Sequence, residues 1–195
     1  MRAVWEDDER RRRQPPEIHY WNESVSHVNF WCEAVAMQVE RVKADVADGI
    51  ESQRRIADSL FLIVAVHRLS AACGFAAAYF PDDSTERARV HDARSRLLSA
   101  YPDLKRLRHQ TEHFDAWLKG EGLGQPPVAG DYPWKCTWTH VRNDDGTIEY
   151  RIVMDDVEVD ILAAADAAIT MGRQVNDVFN DDIDGLTERL RATEE

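Results

Sequence analysis

Paired cysteines are missing from this 195-residue chain: Cys32, Cys73 and Cys136 are three in number, widely spaced and without a C-x-x-C pair. That excludes a disulfide framework and a zinc ribbon, and reduced thiols in a cytoplasmic protein are the simpler expectation. Basic charge is also short, 24 Lys and Arg against 36 Asp and Glu for a net charge of −12, which argues against a generic basic nucleic-acid coat protein. Neither G-x-x-x-x-G-K-[ST] nor G-x-G-x-x-G occurs, so the common ATP and dinucleotide loops are absent. No strand-Gly-x-Ser-x-Gly turn supports Ser-His-Asp catalysis. Prolines 15 and 16 follow Arg10–Arg13 where a secretion signal needs an apolar stretch, so no signal is expected. The longest apolar run, Ser59–Phe80, has His67 and Arg68 at its centre, where charge is costly in lipid. It is expected to be a buried helix, with no membrane partner.

What is present is helical texture, and 44% hydrophobic residues are enough to bury a core. Residues 1–16 are charge-dense, end in Pro-Pro and are expected to form a flexible arm ahead of a single domain over 17–195. A helix over about 20–49 carries Val25, Val28, Cys32, Val35, Val39, Val42 and Val46 at alternating spacings of three and four. That unbroken seam predicts one helix of an antiparallel bundle. A second, near-uniformly apolar helix runs from Ser52 to Phe80 and reads as the central one; a third spans about 84–101. The fourth opens at Pro102-Asp103, closes at the glycines of 119–122 and has the seam Leu104, Leu107, Thr111, Phe114, Leu118.

Next comes a Pro-rich loop, then a β-hairpin at about 134–154 turning at Asn143-Asp144-Asp145-Gly146. That turn resembles part of a calcium loop, but Val141 and Ile152 would stand at ligand positions, so it is read as a turn. A last long helix over about Val157–Phe179 and a short acidic tail complete the chain. The expected class is mainly α: an antiparallel helical bundle with one β-hairpin inserted before the last long helix. Charge is uneven, with +3 over residues 84–119 and −11 over residues 143–195. A phosphate-bearing ligand would therefore be drawn to the third and fourth helices.

The chemistry-bearing stretch is Leu107-Arg108-His109-Gln110-Thr111-Glu112-His113-Phe114-Asp115. At about 100° per residue both histidines point away from the apolar seam, towards solvent, another element or another chain. A merely solvated surface is one reading. A second is zinc, since His109 and His113 share a face and His109-x-x-Glu112-His113 matches the H-x-x-E-H string of inverzincin peptidases. Zinc needs a third protein ligand, and this tail offers only generic acids. A third reading, favoured here, is metal-free phosphodiester cleavage. Arginine's planar fork neutralises a phosphate as its charge grows, and histidine moves protons near neutral pH. Arg108 and His113 supply that pair as R-x4-H, about 140° apart on the helix. That divergence asks for a second copy across a two-fold axis.

Arg108-His109-x-x-x-His113 resembles the R-x4–6-H motif of the HEPN superfamily. The wider string LRHQTEHFDAWLKGEG, residues 107–122, is similar to a motif ending recurrent in bacterial HEPN-like proteins. The resemblance implies a helical bundle that dimerises with the motif residues lining a shared cleft. It also implies a metal-independent endoribonuclease acting as a toxin or in phage defence, with RNA as substrate and no cofactor. Catalysis would fall to Arg108 and His113, and His109 and Glu112 would support them. Partners would be a second copy and an antitoxin or defence-system protein. The family often adds a polar residue on an earlier helix, for which Asp58, His67 and Arg68 are open choices. The alternative within the family is a non-catalytic interaction or RNA-binding module. Trp134 and Trp138 could stack on bases, although cover for a core is the plainer role.

Overall fold

In the computed structural model, residues 16–48, 52–112, 136–142, 144–145, 148–154 and 157–193 are described. The architecture is mainly helical: α1 (Pro16–Asp48), α2 (Ser52–Ala77), α3 (Thr85–Ala100) and α4 (Leu104–Glu112), then strands β1 (Cys136–Arg142), β2 (Ile148–Met154) and β3 (Val157–Asp160), then α5 (Ile161–Asp181) and α6 (Ile183–Thr193). The expected helical class with a β-hairpin ahead of the last long helix is what the structure has.

The valine seam makes α1 what it is. Val28, Val35, Val39 and Val42 are buried, and Val25 and Cys32 pack at the edge of the same core. Successive three- and four-residue steps keep them on one stripe, which faces α2 and α5. The helix starts at Pro16, earlier than the expected 20, because proline is well tolerated in a first turn where its missing N–H would have no helical partner. Of the expected arm, residues 1–15 lie outside those described.

Helix α2 is central as expected, packing on α1, α3, α4 and α5. At its α1 side, Asp58 is buried with its Oδ1 2.9 Å from Arg41 Nη2 on α1 and its Oδ2 3.8 Å from Arg54. Ala57–Ala77 is long and apolar enough to cross a membrane by length and composition, yet 56% of that stretch is buried inside the bundle. Helix α3 begins where Ser84 accepts a hydrogen bond from the Arg87 N–H, an N-cap, and ends at Tyr101.

Two boundaries differ from expectation at the C-terminal end. The last long helix starts at Ile161 rather than Val157, and Val157–Asp160 instead forms a third strand antiparallel to β2. Alternation explains it: Val157 and Val159 are buried and Glu158 is exposed, a two-residue period. Asp160 then caps α5, its Oδ1 accepting from the N–H groups of Leu162 and Ala163 at 3.1 Å each. The sheet has the order β1-β2-β3, with Tyr150, Ile152 and Met154 turned to the core. The acidic tail is not plain chain either, since residues 183–193 form α6. Of the hairpin's expected tryptophans, Trp138 pairs with Ile152 in the β1–β2 register, and Trp134 lies outside the described residues.

Helix α5 meets α1, α2 and α3 through small residues: Ala164, Ala165, Ala168 and Gly172 are all buried. A Cβ on Gly172 would collide with Cys32 Sγ on α1 and touch Leu69 on α2 at 3.4 Å. Gly172→Ala is expected to destabilise the fold by about 1–3 kcal/mol through overpacking. Adding Cys32→Ala should return part of that loss, a non-additive cycle readable by urea unfolding. Strict additivity of the two changes would show that the helices do not meet there.

Candidate nuclease site on the fourth helix

Helix α4 follows α3 after a three-residue turn and packs on α2. Leu104 and Leu107 anchor it in the core, and Thr111 Oγ1 donates to the Leu107 carbonyl at 2.8 Å. The first two and the third of the predicted seam residues thus lie inward or at the boundary, as expected. Phe114 and Leu118 lie outside the described residues.

With Leu104 and Leu107 inward, Arg108 and His109 fall on the flank of the helix, and both are half-buried. The Arg108 Nε is shielded from solvent, so its guanidinium lies partly along protein rather than wholly in water. Glu112 is the last described residue of α4, and His113 lies outside the described residues. The structure therefore brings Arg108 and His109 to one partly covered flank, and the positions of Glu112's carboxylate and His113's imidazole are not part of that observation.

The three open choices on the earlier helix separate cleanly. Asp58 turns towards α1 and is engaged by Arg41 and Arg54. Arg68 is exposed. His67 is half-buried with its Nδ1 shielded, and it stands on the same stripe of α2 as Ser70 and Gly74, the stripe that α3 crosses through Arg94. By helix face, His67 is the one directed to the side that α3 crosses.

The positive charge of the third helix proves largely structural. Arg94 Nε donates to the Ser70 carbonyl at 3.0 Å, Arg96 reaches Gln174 Oε1 at 2.8 Å, and Arg89 reaches Asp181 at 2.8 Å. Arg87 pairs with Asp82 and donates to the Phe80 carbonyl at 3.2 Å. These arginines tie α3 to α2, to α5 and to its own leading turn, which lowers what they can offer an anionic ligand. Lys105 and Arg106, exposed on α4, are the cations nearest the motif along the chain.

Concave features also lie elsewhere among the described residues. A cleft of about 650 Å³ is lined by Tyr20, Ser24, Phe75, Tyr79, Phe80 and Arg87. A shallower, polar one holds Glu149, Arg151, Glu158 and Asp160. In it Arg151 bonds Glu149 at 2.6 Å and Glu158 at 2.8 Å, and those hydrogen bonds hold the guanidinium proton more firmly than usual. The cleft at Tyr20 was not foreseen, because it forms between helix ends that are distant in sequence. Among the described residues no group of three His, Cys, Asp or Glu side chains is arranged to hold a metal ion. The zinc string includes His113, so it falls partly outside that statement.

Comparison with protein-family models, curated proteins and solved structures finds no match for this chain.

Cysteine chemistry is unfavourable at the core. Burial pushes the Cys73 thiol up to about 12, and Cys32 is raised for the same reason. A thiol held protonated is a poor nucleophile at neutral pH. The raised value also sets a stability window: below about pH 9 both folded and unfolded Cys73 carry the proton, and above it the unfolded thiol ionises first. Stability should therefore fall as pH rises from 9 towards 12, less steeply in Cys73→Ala. Native Cys73 should resist iodoacetamide at pH 8 and react in urea, as read by peptide mass spectrometry; equal labelling in both states would contradict its burial.

Proposed function

We propose that the protein is a metal-independent endoribonuclease of HEPN type, a toxin or phage-defence effector that cuts RNA by 2′-hydroxyl transesterification. The observation that carries this reading is that Arg108, the arginine of the Arg108-x4-His113 string, lies half-buried on α4 with a shielded Nε. Partial desolvation strengthens an arginine's hold on a phosphate, which is the property the reaction uses.

In the proposed step His113 takes the proton of the ribose 2′-hydroxyl as its oxygen attacks phosphorus. Arg108 stabilises the doubly charged phosphorane, and the bond to the 5′-oxygen breaks. The 5′-oxygen takes a proton from a protonated histidine of the second copy, leaving a 2′,3′-cyclic phosphate and a 5′-hydroxyl. His109 and Glu112 act as supporting residues that shape the site or hold His113. The proposed assembly is a homodimer working in the cytoplasm, neutralised by an antitoxin or governed by a defence-system partner.

A second reading is a non-catalytic interaction module, favoured by the engagement of α3's arginines in struts and by the net −11 over residues 143–195. One experiment separates them: cleavage of a fluorescent RNA in EDTA by wild type, Arg108→Ala and His113→Ala. Wild-type cleavage that drops by at least about 100-fold in both variants supports the nuclease. Activity lost in EDTA and restored by zinc supports a hydrolase using His109, Glu112 and His113. No cleavage by folded wild type leaves the interaction module.

A further inference from the structure

Helix α1 carries a second seam outside the valine one. Tyr20, His27, Phe30, Ala34, Met37 and Arg41 are spaced 7-3-4-3-4, and all but the half-buried Ala34 are exposed. Helix α2 repeats the pattern with Ala57, Phe61, Val64, Arg68, Ala71 and Phe75, spaced 4-3-4-3-4 and exposed except for the half-buried Val64, and the exposed Ala78 just past its end continues it. At 3.5 residues per repeat each set stays on one helix face.

The two seams meet on one surface. Helices α1 and α2 are antiparallel, with the His27 ring 6.0 Å from that of Phe75 near one end and Arg41 on Asp58 near the other. Tyr20, Phe75 and Ala78 together line the 650 Å³ cleft, so the surface is continuous to its end. Among the described residues six large hydrophobic side chains are exposed, and five of them (Tyr20, Phe30, Met37, Phe61 and Phe75) are here, each 50–61% exposed. Single exposed hydrophobics need no explanation, but a contiguous face of this size does.

From this we infer that the outer face of the α1–α2 hairpin pairs with the same face of a second copy, forming a four-helix interface about a two-fold axis. Size is the first argument. Five side chains, each offering about half of the roughly 200 Å² of a large apolar or aromatic residue, expose on the order of 500 Å² per protomer. With the intervening alanines and Val64, two copies bury about 1,200 Å² or more, the level at which stable interfaces begin. Shape is the second. Along each helix large residues alternate with small ones (Phe30, Ala34, Met37; Phe61, Val64; Ala71, Phe75, Ala78), so one copy's knobs have holes in the other. Lipid is a poorer occupant, because Arg68 stands at the middle of the face and His27 and Arg41 within it. The pairing is argued from the exposed face and not from the motif, it gives a location to the homodimer proposed above, and its test does not use RNA.

The experiment is sedimentation equilibrium of the full chain at 1–50 µM (an experimental range, roughly spanning weak to moderate dimers), with wild type, Phe30→Glu, Phe75→Glu and Ile183→Glu. Wild type and Ile183→Glu, whose change lies outside the face, are expected as dimers; the other two are expected as monomers with unchanged helical circular dichroism. Because Phe30 and Phe75 are exposed, loss of folding in one still leaves the other to decide. A monomeric wild type throughout overturns the inference, and in that case flotation with phosphatidylglycerol vesicles would assign the face to lipid. A dimer that survives both substitutions overturns the location.

Discussion

Helix α5 can lie as close as it does to α1 and α2 only because its inner face is built from alanine and glycine. At Gly172 the Cys32 sulfur occupies the space a side chain would need. That close approach fixes the rest. It sets Trp21 edge-on to Phe179 at 6.0 Å and closes Tyr79 and Phe80 over the same ring at 5.4 and 4.8 Å. It also brings α3 near enough for Arg89 and Arg96 to span to α5. The short strand β3 feeds directly into this helix through the Asp160 cap, so the sheet's position follows from the same crossing.

The arginines of α3 show why a charge tally and an electrostatic site are different things. Each side chain counted as free charge in the sequence carries a geometric duty in the fold: Arg94 lies against Gly74 and bonds the Ser70 carbonyl, and its guanidinium fills the space the glycine leaves. Exposed pairs such as Arg89–Asp181 add about 0–1 kcal/mol to stability. Their larger effect is to orient α3, and through the three-residue turn after it, α4. The motif helix itself is held on α2 by Leu104 and Leu107, beside a third helix whose arginines are already engaged.

Helical periodicity made most of this readable from the sequence. The valine seam of α1, the start of α3 near residue 84 and the two leucines of α4 each follow from local rules, and the structure has them, whereas α2 ends at Ala77, three residues short of the expected Phe80. Strand β3 was hidden because four residues, Val-Glu-Val-Asp, are too few to separate a two-residue period from a helical one when a long alanine-rich helix follows. The outer seam was hidden for a different reason: Tyr20, Phe30 and Met37 are interleaved with a stronger valine pattern, and burial, which separates the two sets, is not a property of sequence. Of the proposed site, Arg108 and His109 were legible as an off-seam pair. The preference for His67 over Asp58 needed the cross-helix contacts of Arg41 and Arg94.

The proposed pairing face and the proposed nuclease site constrain each other through symmetry. A two-fold axis lying in the interface can run parallel to the helices or across them. Parallel, it sets α2 over the partner's α1 and sends the two α4 helices, each resting on its own α2, to opposite edges of the dimer. Across, it sets α2 over the partner's α2 and leaves both α4 helices on the same edge. On the proposed reading, in which an arginine of one copy and a histidine of the other act on one phosphate, the second geometry is the compatible one, because it keeps both α4 helices on one edge. In that geometry Arg68, near the middle of α2, faces its own counterpart region, and like charges there must be offset along the helix or screened. An axis displaced from Arg68 towards Ala71 meets that demand, because it sets the guanidinium against the small-residue gap rather than against its copy.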